Sequence, residues 1–66
     1  MNIELCLVLT TVATRADATR LAEALLTAQL AACVQCEAIE SRYWWQGELC
    51  CDDEVRLVIK TARHLY

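Results

Sequence analysis

Sixty-six residues hold one small domain, and a net charge of -3 with six basic residues in no run excludes a phosphate-neutralising nucleic-acid surface. Hydrophobic residues make up 58% of the chain, more than a monomer of this size hides, so self-association is expected. No apolar run reaches the roughly 18 residues of a membrane span, no signal peptide is visible, and five cysteines suit free thiols in a reducing cytoplasm.

Ile3–Thr11 predicts the first strand. Its apolar run Leu5–Leu9 is continuous, as expected where both faces of a sheet are covered. Thr14 then offers an N-cap hydroxyl, with Asp17 three residues on, near the positive helix end. From Arg15 to about Ala32 the spacing is helical. Ala18, Leu21, Ala22, Leu25, Leu26 and Leu30 recur on one face; Arg20, Glu23, Thr27 and Gln29 populate the other. Such a helix is about 27 Å long at 1.5 Å per residue.

Val34–Trp45 returns to a strand pattern. Ala38, Glu40, Arg42 and Trp44 share one face; Ile39, Ser41, Tyr43 and Trp45 share the other. Neither face is purely apolar, which predicts that the far end of this strand leaves the core and lies against a partner. Both tryptophans, Tyr43 and the single glycine, Gly47, lie within five consecutive positions. Gly47 marks a hairpin, because glycine reaches turn angles at no steric cost. After it, Val55, Leu57 and Ile59 alternate with Arg56, Val58 and Lys60 as a third strand, antiparallel to the second. The tail Ala62–Tyr66 has the start of a helix but is too short to hold one alone.

Strand, helix, strand, strand predicts an α+β fold: a split βαβ, ferredoxin-like arrangement truncated to β-α-β-β, with one helix on a face of an antiparallel sheet.

Three pieces resemble the CutA divalent-cation-tolerance family. They are Leu30-Ala31-Ala32-Cys33-Val34, the segment Ser41-Arg42-Tyr43-Trp44-Trp45-Gln46-Gly47-Glu48-Leu49, and Glu54-Val55 through Ile59-Lys60-Thr61. The resemblance covers nearly the whole chain, and the aromatic turn with the distant Ile-Lys-Thr is its most specific part. It implies a single domain over residues 1–66 that lacks the family's second helix and fourth strand. It implies a cytoplasmic homotrimer joined edge to edge through its sheets. It also implies a non-enzymatic role in tolerance of copper and other divalent cations. Some family members carry a cysteine ligand at the end of the first strand; the matching residue here is Thr10, a poor ligand for soft metals. An architectural likeness to the PII signalling proteins implies an alternative, binding of a small anionic metabolite at subunit clefts near Arg42, Arg56 or Lys60.

The residues themselves offer four candidate sites. Cys33, Cys36, Cys50 and Cys51 supply the four thiolates of a tetrahedral zinc module, although adjacent Cys50 and Cys51 point to opposite faces if extended. Cys50 and Cys51 flank the turn and are the expected metal ligands if copper or another divalent cation is bound. Asp52, Asp53 and Glu54, with Glu48 across the turn, form an acidic patch of the kind hard cations take, or a solvated hairpin end. Tyr43, Trp44 and Trp45 are the expected interface anchor, since residues in a row on alternating strand faces cannot all enter one core. His64 has no evident partner. Ser41, the single serine, has no base beside it in the pattern, so no catalytic set is expected.

Overall fold

The computed structural model describes residues 4–62. Four elements follow one another: β1 (Leu5–Val12), α1 (Arg15–Thr27), β2 (Cys33–Trp45) and β3 (Glu48–Ala62). The strands form one antiparallel sheet in the order β1-β3-β2, so the last strand is central. The α+β, ferredoxin-like architecture expected from the element order is the one observed.

The helix starts where the sequence places it. Thr14 is extended (φ -133°, ψ 160°), and its Oγ1 accepts the backbone N–H of Asp17 at 3.1 Å. The Asp17 carboxylate turns to Arg20 rather than back to the cap, so the capping box is one-sided. The helix end differs from expectation: α1 stops at Thr27, not near Ala32. Gln29 takes a left-handed conformation (φ 59°). Its N–H bonds the Leu26 carbonyl at 3.1 Å, and the Leu30 N–H bonds the Leu25 carbonyl at 2.9 Å. These two bonds are a Schellman closure. Leu30 therefore continues the helical spacing without being helical.

Alternation along β3 decides the layers. Val55, Leu57, Ile59 and Thr61 are buried under α1, and Leu57 is fully so. Ala18 of the helix and Ala31 of the connection complete the core, with Val8, Val12, Leu21, Ala22, Leu25, Val34 and Cys36 packed around it. The connection is pinned to the central strand twice. Thr61 Oγ1 donates to the Leu30 carbonyl at 2.5 Å, and the Ala32 N–H donates to the Lys60 carbonyl at 2.8 Å.

The opposite face is bare in the single chain. Leu5, Leu7 and Leu9 alternate with the inward Cys6 and Val8 and remain 60–64% exposed. The continuous apolar run thus has one face covered by the helix and one uncovered, where both were expected to be covered. The Arg63–Tyr66 part of the tail, with His64, lies outside the described residues.

Candidate functional site

The register divides β3 into a base and an arm. β1 pairs with it only from Val55 to Ala62. β2 follows it all the way to Glu48. Residues beyond Ile39 and Glu54 therefore form a two-stranded arm that projects from the three-stranded base, and the molecule measures 50 × 23 × 16 Å. The alternation of Val55, Leu57 and Ile59 predicts a third strand from about Val55; it begins at Glu48, directly after the turn. Asp52 and Asp53 lie within the strand rather than in the turn, and both are exposed to solvent.

The tip is a two-residue hairpin in which Trp45 pairs with Glu48. Gln46 (φ 50°) and Gly47 (φ 79°) both have positive φ, the type I′ pattern that matches strand twist. A Cβ at Gly47 meets nothing within 4 Å, so glycine serves conformation there, not space.

The arm sorts its side chains by parity. On the helix side, beyond the helix, lie Trp44 facing Leu49, and Arg42 facing Cys51, with Asp53 next along β3. Arg42 bonds Glu40 at 2.5 Å on this side. On the open side, Tyr43 faces Cys50, Trp45 faces Glu48, and Asp52 and Glu54 follow along β3. Trp44 and Leu49 are each 70% exposed, Trp45 62% and Tyr43 39%. Tyr43, Trp44 and Trp45 thus point outward and are divided between the two faces of the arm.

Hydroxyl-to-carboxylate bonds stitch the open side. The Tyr43 hydroxyl donates to Asp52, and the Ser41 hydroxyl donates to Glu54 at 2.8 Å. The bond to Asp52, joined by the nearby negative charge, pushes the Tyr43 phenol up to about 12. Ser41 is therefore committed to the arm's own cross-strand bonding.

Several candidate sites come apart. Cys33 and Cys36 lie at the base of β2, three residues apart and so on opposite faces. From Cys36 to Tyr43, the partner of Cys50, is about 23 Å of strand at ~3.3 Å per residue. The four cysteines cannot surround one zinc ion, and the zinc-module reading is overturned by the register. Cys50 and Cys51 are successive strand residues and face opposite sides, so one chain cannot offer both to one ion. All the described cysteines are free thiols. Asp52 and Glu54 share a side, while Asp53 faces the other. Among the described residues no group of three or more His, Cys, Asp or Glu side chains is arranged to hold a metal. Thr10 pairs with Leu57 in the base, far from the arm.

The basic residues of the anionic-metabolite reading also separate. Arg42 is on the helix side of the arm, whereas Arg56 and Lys60 are on the open side of the base. Arg56 is engaged by Glu37, its direct cross-strand partner, at 2.7 Å through Nε. Two features escaped the sequence reading: the bare leucine face of β1, and a shallow concavity of about 280 Å³ bounded by Gln35, Cys36, Glu37 and Val58. The alternation of Leu5, Leu7 and Leu9 was the available signal for the first. Among the described residues, no helix is long and apolar enough to cross a membrane.

Residues 6–66 match the profile of the CutA1 divalent ion tolerance protein. The chain belongs to the CutA1 family. Among curated CutA1 relatives, the divalent-cation tolerance protein CutA of Thermus thermophilus is 42% identical over 60 residues, spanning 89% of this chain and 58% of its own length. The chloroplastic CutA 1 of rice is 47% identical over 47 residues, 70% of this chain and 27% of its own. Among solved structures, CutA from Synechococcus elongatus superimposes with a TM-score of 0.90 at 41% identity, covering 97% of this chain and 57% of that one. The chain thus spans between about a quarter and three-fifths of the length of these relatives.

Proposed function

We propose that this chain acts in divalent-cation tolerance, copper included, as a non-enzymatic homotrimer whose subunits join through their sheets and aromatic arms. The observation that carries the reading is the arm. Trp44, Trp45 and Leu49 stand in water on both sides of a two-stranded ribbon, and its backbone edges are unpaired. Exposed aromatics of this size beside open edges mark an association surface. Family membership supports the tolerance role.

Residues 6–66 correspond to part of the domain of its relatives, here a strand–helix–strand–strand unit. The metal is taken by the arm thiols, Cys50 and Cys51. Because the two face opposite sides, each ion draws one thiolate from each of two or more copies. A thiolate ligand suits copper and other soft or borderline cations. The cytoplasm is the proposed compartment, since it keeps the free thiols reduced. The engagement of Ser41 with Glu54, and of Tyr43 with Asp52, supports a role without turnover: both hydroxyls are spent on holding the arm.

Native mass with simultaneous metal content tests the reading. The expected result is a mass of three chains and copper uptake that requires the assembled form. A folded single chain at micromolar concentration overturns it.

A further inference from the structure

Two parts of this molecule are built to different standards. In the base, Val55, Leu57, Ile59 and Thr61 are buried between neighbours on both sides. In the arm, from Ile39 to Glu54, no residue is buried; Ile39, Ser41, Cys50 and Glu54 are half-buried and the rest are exposed. Among the described residues both arm edges are unpaired, because β1 ends its pairing with β3 at Val55 and β2 is an edge strand. A lone two-stranded hairpin is marginal in water. Local opening is easiest where buried apolar contact is least and backbone bonds are most exposed.

We propose that in a single copy the arm, residues 39–54, opens independently of the three-stranded base, and that a second copy seated on Trp44, Trp45 and Leu49 closes it. Ordering of the arm and assembly are then one coupled step. This rests on the oligomeric reading above and adds what assembly does to the arm.

A second copy is the occupant because the chain carries the complement of its own arm. The open face of the base offers Leu5, Leu7, Leu9 and Val58 as an apolar surface. Lys60 lies on that face between Leu7 and Cys33, and among the described residues it forms no ion pair. The open side of the arm offers Trp45 directly opposite Glu48, with Asp52, bonded by the Tyr43 hydroxyl, four residues further along β3. Apolar surface edged by a cation thus has its match in aromatic surface edged by carboxylates, on one sequence.

Amide hydrogen exchange of the intact chain, run beside native mass, tests this. The comparison is between amides bonded across the arm pair, within 40–53, and those of Val55–Thr61. At a dilution where the mass is that of one chain, arm amides should exchange at least about 100-fold faster than base amides. In the assembled form they should slow toward the base. A Leu49→Lys variant supplies the single chain at higher concentration, because Leu49 touches no core residue. Its arm should exchange fast throughout. An arm as protected as the base in the single chain overturns the coupling, while a multi-chain mass leaves the oligomeric reading standing. An arm that exchanges fast even when assembled also overturns the coupling. A Leu49→Lys chain that assembles unchanged overturns the seating. A single-chain mass up to micromolar concentration overturns the oligomeric reading and the coupling together.

Discussion

Trp44 and Leu49 face each other across the arm, on the same side of the sheet as α1 but beyond its reach, and each is 70% exposed. A cross-strand aromatic–aliphatic pair contributes about 0.2–1 kcal/mol to a hairpin. That is far less than the pair would yield if fully covered. Burying a Leu side chain alone is worth about 1.5–3 kcal/mol. The difference is the drive toward a partner surface, and it sits at the farthest point from the chain's own core.

Trp44→Ala and Trp45→Ala should therefore weaken association far more than they weaken the fold. Each is expected to cost about 2 kcal/mol or more in assembly, a roughly thirtyfold shift in the association midpoint. Sedimentation against concentration reads the first effect and urea unfolding of the dissociated chain reads the second. Equal losses in both would place the tryptophans in the subunit's own stability instead.

Leu57→Ala should do the reverse. Leu57 is fully buried, with Thr10 on one side and Cys36 on the other. Truncation leaves a cavity in the core under α1, at a cost of about 2–5 kcal/mol. A domain of this size has little stability to spare, so the variant should unfold at much lower denaturant, or not fold at all. Leu57→Met, which keeps the volume, should cost less than about 1.5 kcal/mol. Urea midpoints of the two variants check the order.

How far the sequence reads into the fold depends on whether the deciding interaction is local. The Thr14 cap, the hairpin at Gly47 and the two faces of β2 were visible because cap chemistry, turn angles and alternation act over a few residues. The helix end was not, because Leu30 keeps the 3–4 spacing and Gln29 is no signal for a left-handed residue. Backbone closure onto Leu25 and Leu26 ended the helix. The early start of β3 was hidden for a different reason. Asp52 and Asp53 are poor strand formers, and β2 recruits them by pairing, with the Tyr43 and Ser41 hydroxyls engaging Asp52 and Glu54. Once that stretch is strand, Cys50 and Cys51 must part to opposite faces, a consequence that holds only when the pairing is known.

Two non-glycine residues hold positive φ, Gln29 at 59° and Gln46 at 50°. Left-handed backbone costs an ordinary L-residue about 1–2 kcal/mol. Gln29→Gly should stabilise the base by about 0.5–1 kcal/mol, and Gln46→Asn should stabilise the arm by a similar amount, since Asn-Gly is the favoured type I′ pair. Thermal unfolding reports the first, and slower exchange of arm amides reports the second. No gain from either would mean that the strain is relieved elsewhere in the chain.

Tyr43 sets a pH response at the alkaline end. Its phenol titrates at about 12 in the fold against 10.0 ordinarily, chiefly through the bond to Asp52. The folded state holds its proton more tightly, so the contribution is fully present below pH 10.0. It is lost as pH rises from there toward about 12. Tyr43→Phe should remove that part of the alkaline slope and lose the same contribution at neutral pH, where it is small because the pair is exposed. Tyrosinate absorbance of the two proteins, taken as a difference, should show one phenol ionising late. A Tyr43 that titrates at its ordinary value would mean that the Asp52 bond is not held in solution.

Metal uptake should follow the arm thiols and their faces. Cys50 pairs with Tyr43 on the open side, and Cys51 pairs with Arg42 on the helix side. One ion can take only one of them from a given chain, so stoichiometry should be at most one ion per chain and should depend on assembly. Cys50→Ser with Cys51→Ser should abolish most copper uptake. The two single variants should differ, because only one side of the arm faces thiols from other copies. Thiolates are the ligands, so uptake should weaken as pH falls and protons compete. Metal content after equilibrium dialysis, run on all three variants at two pH values, reads each of these outcomes. Unchanged stoichiometric binding by the double variant would exclude the arm thiols. The ligands would then have to be sought among Cys6, Cys33 and Cys36 in the base, each from a separate copy.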